Sequence, residues 1–290
     1  MPNLPKAKIA VIGGTGLEDI EGLADVQQVN IDTPFGKPSD TITIGKLDGV
    51  GVAFLPRHGR GHFISPTELP ARANIYALKS IGVEQIIAVS SCGSFKQEFA
   101  PGHLLIPDQL IDRTRNRINT FFTDGIVAHV GFAEPFCREL SQILYESARE
   151  ADATVHAKGT YVCMEGPAFS TRAESRLYRS WGADIIGMTA LPEAKLAREA
   201  ELCYAMIACI TDYDSWWEPG KPVDVATVIK ILHTNADIAK RIVKLAVKKI
   251  PEHSDCHCTH ALTGAIITAP EKIPAAQKKK LGLLIGKYVK

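Results

Sequence analysis

Short apolar runs recur along almost the whole chain, each ending in a polar or glycine-rich stretch and followed by an amphipathic helical pattern. Residues 203–210 (CYAMIACI) are the clearest case: a continuous apolar run that stops abruptly at TDYD. A run of this length between polar boundaries predicts a strand buried on both faces. Residues 8–12, 85–90, 159–164 and 184–187 predict further strands, with shorter ones at 104–106 and 110–111. Residues 41–47 and 50–55 predict a hairpin around Asp48-Gly49. Helical periodicity marks residues 68–81, 136–151, 171–181, 191–201 and 224–249. Strands alternating with helices specify an α/β domain with a mixed sheet. Without an internal repeat or a low-complexity linker, one domain is expected over residues 1–270. The tail, 271–290, carries a KKK run and LGLLIG, and predicts a surface helix or partial order.

Composition excludes some functions. The 33 basic and 32 acidic residues nearly cancel, so no concentrated basic face for nucleic acid is expected. No apolar stretch approaches the ~20 residues of a spanning helix, so no membrane role is expected. MPNLPKAKIAVIGG does not read as a signal peptide. Seven cysteines, an odd count, argue against a secreted disulfide framework. The expected location is the cytoplasm.

Every notable polar cluster falls at the end of an expected strand, where ligands bind in α/β sheets. In GGTGLED, Gly13, Gly14 and Gly16 permit a tight turn with exposed amides, and Thr15 adds a hydroxyl, which suits an oxyanion. In LPRHGRGH, Arg57 can offer two parallel bonds to phosphate oxygens and His58 a further donor. Ser90 and Ser91 supply hydroxyls and amides in VSSCGS. Phe169 lies in a Gly-Pro loop where a ring can stack on a planar base, and Ser170 or Thr171 can cap the next helix. Met188 and Thr189 follow another strand. Asp212 and Asp214 point to opposite faces if extended, and meet one ligand edge if the chain turns between them. Each cluster alone also reads as an ordinary turn, cap or packing residue. Together they suit phosphate attack on a nucleoside, without the spacing usual for metal ligands and without a nucleophile elbow. HSDCHCTH, residues 253–260, looks metal-like, but its Cys-x-Cys spacing is tighter than usual for zinc. A disulfide or redox pair and inert thiols are the other readings.

The motifs IGGTGL, TPFGKPSD, LPRHGRGH, ANIYALK, SCGS, DQLIDRT, AEPFC, EGPAFSTRAES, WGADIIGMT, PEAKLAREA and CYAMIACITDYD occur in this order over roughly residues 8–262. In this the chain resembles the trimeric purine nucleoside phosphorylase family, in particular its members that cleave S-methyl-5′-thioadenosine. The resemblance implies a phosphorylase fold with a central, partly barrel-like sheet flanked by helices. It implies phosphorolysis to adenine and 5-methylthioribose-1-phosphate in purine and methionine salvage, with orthophosphate as co-substrate and no metal or organic cofactor. A homotrimer, or a hexamer of two trimers, is implied as well. Thr15, Arg57, His58, Ser90 and Thr189 would hold phosphate; Ser91 stands where the family often has alanine, and its amide would still serve. Met188 would lie under the ribose, and Phe169 and Ser170 would line the base pocket. Asp212 and Asp214 would be the catalytic pair facing N7 and the 6-amino group. Val225, Val228 and Ile229 would surround the methylthio group, and His129 would close that pocket from a neighbouring subunit. The family's archaeal-type members carry a C-terminal CxC like Cys256 and Cys258, and a bridge where Cys137 and Cys203 stand. Arg198 and Thr259 replace the cysteines of a second bridge. The alternatives are a phosphorylase for inosine, guanosine or adenosine, and a non-catalytic nucleotide-binding protein.

Overall fold

The core is a parallel pair of long strands, β5 (Gln85–Ser94) and β11 (Cys203–Asp212), buried along almost their full length. The computed structural model describes residues 5–14, 16–217, 225–252 and 256–289. β1 (Ile9–Gly13) adds to the other side of β5, and β4 (Val50–Pro56) to β1, all parallel. β3 (Ile42–Leu47) returns antiparallel to β4, as the Asp48-Gly49 hairpin predicts, and β2 (Leu23–Val29) forms the edge. β10 (Ile185–Gly187) runs antiparallel to the end of β5 and continues the sheet through β9 (Thr160–Met164) to β7 (Gln109–Arg113). β6 (Leu104–Ile106) pairs with β11 and carries β8 (Val155–Ala157), giving one mixed sheet of 11 strands.

Alternation along the central strands divides the core into two layers. Ala10, Ile12, Tyr204, Met206, Ala208 and Ile210 face α1 (Ala71–Ser80) and α4 (Ala190–Glu199). Ile9, Val11, Cys203, Ala205, Ile207 and Cys209 face α2 (Arg138–Glu150) and α5 (Val225–Lys249). Parallel strands covered by helices on both faces need apolar residues at every position, hence their unbroken runs. α3 (Arg172–Ser180) begins with a capping box: Thr171 Oγ1 accepts from the Glu174 amide, while Glu174 accepts from that of Thr171.

Two differences from the sequence reading have physical causes. β5 does not stop at Ser90 but runs through SSCGS to Ser94, because β11 and β10 supply partners beyond it. β2 shows no apolar alternation because it is a largely exposed edge strand. The tail forms α6 (Ala275–Lys280) and α7 (Gly282–Ile285), and Leu281, Leu284, Ile285 and Val289 are buried in the layer beside α1 and α4. These leucines point inward while the KKK run stays at the surface. No helix of the described residues is long and apolar enough to cross a membrane.

Packing of the tail into the main core has a measurable consequence. Leu284→Ala should lower unfolding free energy by about 2–4 kcal/mol in urea titration, as for a core leucine. A change below ~0.5 kcal/mol would mean that the tail is only a surface appendage.

Candidate active site

Register decides where the polar clusters meet. Gln85 of β5 sits level with both Ile9 of β1 and Cys203 of β11, so the parallel strands run their carboxyl ends to one rim. Gly13 pairs with Pro56, which brings Arg57 to the same rim. Ile186 pairs with Gly93, which delivers Met188 and Thr189. The rim encloses a cavity of about 500 Å³, lined by Gly14, Arg57, His58, Ser90, Ser91, Phe169, Met188, Thr189, Asp212 and Asp214 among others. Thr15 lies outside the described residues, as do the side chains of Val225, Val228 and Ile229 at the start of α5. His129 is exposed and does not line the cavity of its own chain.

One wall is built of hydroxyls over a buried ion pair. Ser90 Oγ and Thr189 Oγ1 are 2.8 Å apart, though 99 residues separate them in sequence. Behind them Arg57 binds Glu193 through Nε (2.5 Å) and Nη2 (3.2 Å), and donates to the carbonyls of Val89 (2.9 Å) and Ile12 (3.1 Å). Burial works against the Arg57 charge, but the charge and hydrogen bonds of Glu193 outweigh it and hold its pKa above the ordinary value. The forked face of the guanidinium is therefore spent on Glu193, leaving one Nη1 hydrogen for a ligand among the described contacts. Tyr204 donates to the same Glu193 carboxylate at 3.0 Å.

His58 differs from the donor read in the sequence. Its Nδ1 lies 2.8 Å from the Ile64 carbonyl, and burial, reinforced by Arg57, lowers its pKa to about 4. A neutral ring with Nδ1 facing a carbonyl carries its proton there, so Nε2 is an acceptor. It stacks on His62 at 4.3 Å between centroids. In the glycine turn, the Gly16 amide is already taken by Glu18 at 2.9 Å.

The opposite wall holds the two acids. A bulge between Ile210 and Asp212, and a positive φ of 24° at Asp214, turn both carboxylates toward one corner. The Asp214 amide donates to Asp212 Oδ1 at 2.9 Å, and Thr211 Oγ1 to Asp212 Oδ2 at 2.7 Å. Ser170 Oγ lies 2.7 Å from each oxygen of Asp214, so it holds that acid rather than lining the cavity. Burial is the main cause that raises Asp212 to about 6; the neighbouring Asp214 charge adds to it, against the bonds from Thr211 and the Asp214 amide. Burial raises Asp214 too, against its bonds to hydroxyls. Gly93 backs the pair: a Cβ there would lie 2.9 Å from Asp212 Oδ1 and 3.2 Å from Asp214 Cβ. Phe169, 47% exposed, stands at the cavity rather than in the core.

Several residues of the site carry no sequence signal of their own. Arg117 ties two loops together, donating to the carbonyls of Met188 and Leu191 (both 2.5 Å) and of Glu165 (2.5 Å). Asn235 and Ala236 of α5 also line the cavity, and both amide atoms of buried Asn235 lack a partner among the described residues. Away from the cavity, Cys137, Cys203, Cys256 and Cys258 come together as free thiols, with Cys137 and Cys256 sulfurs 3.4 Å apart.

The Arg57–Glu193 pair supports the hydroxyl wall from behind, and it is nearly inaccessible to solvent. Glu193→Ala leaves a buried guanidinium unpaired and should cost about 3–5 kcal/mol of unfolding free energy. A loss under 1 kcal/mol in denaturant titration would show that the pair is not the support inferred.

Comparison with known proteins shows the family of the chain. The family model described as Phosphorylase superfamily matches residues 8–248. The S-methyl-5′-thioadenosine phosphorylase of Geobacter sulfurreducens is 57% identical over 282 residues, covering 97% of this chain and 99% of that one. That of Hyperthermus butylicus is 49% identical, covering 92% of this chain and 100% of that one. A methylthioadenosine phosphorylase from an antarctic soil metagenomic library superposes with a TM-score of 0.93 at 49% identity, covering 97% and 99% of the two chains. The Schistosoma mansoni enzyme solved with adenine gives a TM-score of 0.82 at 35% identity, covering 97% and 98%. On the family match and these near-full-length likenesses, the chain belongs to the phosphorylase superfamily.

Proposed function

We propose that this chain catalyses the reversible phosphorolysis of S-methyl-5′-thioadenosine, giving adenine and 5-methylthioribose-1-phosphate. The observation that carries this reading is the paired Asp212 and Asp214 in one buried corner, opposite a wall of hydroxyls. The printed activity of the relatives supports it.

Orthophosphate is held between Ser90, Thr189, Gly14 and the remaining Nη1 hydrogen of Arg57, with the Ser91 amide beside it; the resemblance adds Thr15 to this set. Monohydrogen phosphate also has one hydroxyl, which matches the acceptor Nε2 of His58. A phosphate oxygen forms the bond to the anomeric carbon as the bond to N9 breaks, and the electron pair leaves with the base. Fixed phosphate supplies orientation and charge to the ribosyl cation that develops. Asp212 gives its proton to N7, so adenine departs neutral. Asp214 accepts from Ser170 and, lying beside Asp212, helps to raise that neighbour, so the proton is offered from the Asp212 side of the pair. Phe169 stacks on the base and Met188 lies under the ribose. The resemblance to the family assigns the methylthio group to the start of α5 and to a neighbouring subunit's His129, in a homotrimer or a hexamer of two trimers. No organic cofactor or catalytic metal enters the chemistry. Seven cysteines, an odd count that does not suit a secreted disulfide framework, support a cytoplasmic salvage enzyme.

The 6-amino group of adenine is a donor and pairs with a carboxylate, whereas a 6-oxo purine offers an acceptor. The test is turnover of methylthioadenosine, adenosine and inosine, each with and without phosphate. Adenine release should depend on phosphate and be fastest from methylthioadenosine. Asp214→Asn should shift preference toward inosine by about ten- to a hundredfold, whereas Asp212→Asn, with no proton to give N7, should slow turnover of every purine nucleoside. Faster wild-type turnover of inosine would overturn the substrate assignment, and no turnover of any of them would leave a non-catalytic binding protein.

A further inference from the structure

The four cysteines that meet away from the cavity come from three separate parts of the fold. Cys137 precedes the first turn of α2, Cys203 opens β11, and Cys256 and Cys258 lie on the short turn that follows α5. All four are buried, and their sulfur atoms all lie within 4.8 Å of one another. Four sulfurs at the corners of a tetrahedron around zinc, at Zn–S of about 2.3 Å, stand about 3.8 Å apart. The Cys137–Cys256 separation is 3.4 Å, close to that spacing, and none of the four is joined to another. Two disulfides would instead divide the set into two bonded pairs, each near 2.0 Å.

Cys137 stands at the N-terminal end of α2 and Cys203 at the start of β11, two rigid elements that present their sulfurs to the turn carrying Cys256 and Cys258. The four cysteines belong to or border the buried apolar layer that also holds Leu140, Leu144, Ala205 and Val247, and a soft divalent cation satisfies four buried thiols at once. The tight Cys-x-Cys spacing is no obstacle, because the other two ligands come from distant elements rather than from a second local pair.

We propose that Cys137, Cys203, Cys256 and Cys258 form a structural tetrathiolate zinc site. It fastens the turn after α5 to the start of α2 and of β11. None of the four lines the cavity, so the metal takes no part in turnover. It holds in place the far end of the helix whose Asn235 and Ala236 do line it.

The full-length protein, expressed in zinc-supplemented medium and purified without chelator under reducing conditions, tests this by metal analysis and intact mass. One zinc per chain is expected, released by a mercurial that reacts with the thiols. Cobalt in its place should give the intense thiolate-to-metal absorption of a four-sulfur site. Cys256→Ser and Cys258→Ser should lose the metal and lower Tm by about 5 °C or more, with phosphorolysis at low temperature within about twofold of wild type. Cobalt absorption by the wild-type chain keeps the proposal testable where a serine variant fails to fold. A metal-free chain lighter by two hydrogens for each of two disulfides would overturn the proposal. So would a metal-free chain with all four thiols open to alkylation on unfolding.

Discussion

The level start of β1, β5 and β11 is the constraint on which the site rests. Three parallel strands in register, with apolar side chains on both faces, leave no freedom to slide: a one-residue slip would exchange the residues facing α1 and α4 for those facing α2 and α5. Their carboxyl ends therefore reach one rim together. Gly14, Ser90 and Asp212, far apart in sequence, line one cavity because of that register. The remaining strand ends are placed by pairing to these three, through Pro56 beside Gly13 and Ile186 beside Gly93.

Much of this was legible from the chain. Unbroken apolar runs announced the central strands, and the polar stretch after each run named most of the residues that line the cavity. What the pattern did not carry was long-range partnership. Arg57 reads as a phosphate fork until Glu193, inside an expected helix, is seen to occupy that fork. His58 reads as a donor until the Ile64 carbonyl claims its proton. Ser170 or Thr171 reads as a helix cap; Thr171 takes that role, while Ser170 holds Asp214. Arg117 and Asn235 sit in stretches with no local signature. The four cysteines look like one CxC and two scattered residues, because only the fold brings Cys137 and Cys203 beside them.

The two walls of the cavity solve opposite electrostatic problems. On the hydroxyl side a buried cation is neutralised by Glu193, so the site offers directed hydrogen bonds more than net charge. On the other side two acids share a buried corner, where desolvation and the neighbouring charge favour keeping a proton. Hydroxyls from Thr211 and Ser170 limit that effect and keep the pair from neutralising fully. The result is a carboxyl poised slightly below neutral pH, close to where a general acid is most useful.

The central claim is that Asp212 is such a carboxyl. Its folded pKa is raised from 3.8 to about 6. The stability it contributes is therefore fully present below its ordinary value and is lost as pH rises through about 6. Carbon-13 NMR of aspartate-labelled protein, compared with Asp212→Asn, reads this titration directly. A side-chain carboxyl resonance that titrates near pH 6 and is missing from the variant is the predicted result. An Asp212 resonance that titrates near its ordinary 3.8 would contradict the account, because a carboxylate already ionised through the neutral range has no proton to give N7.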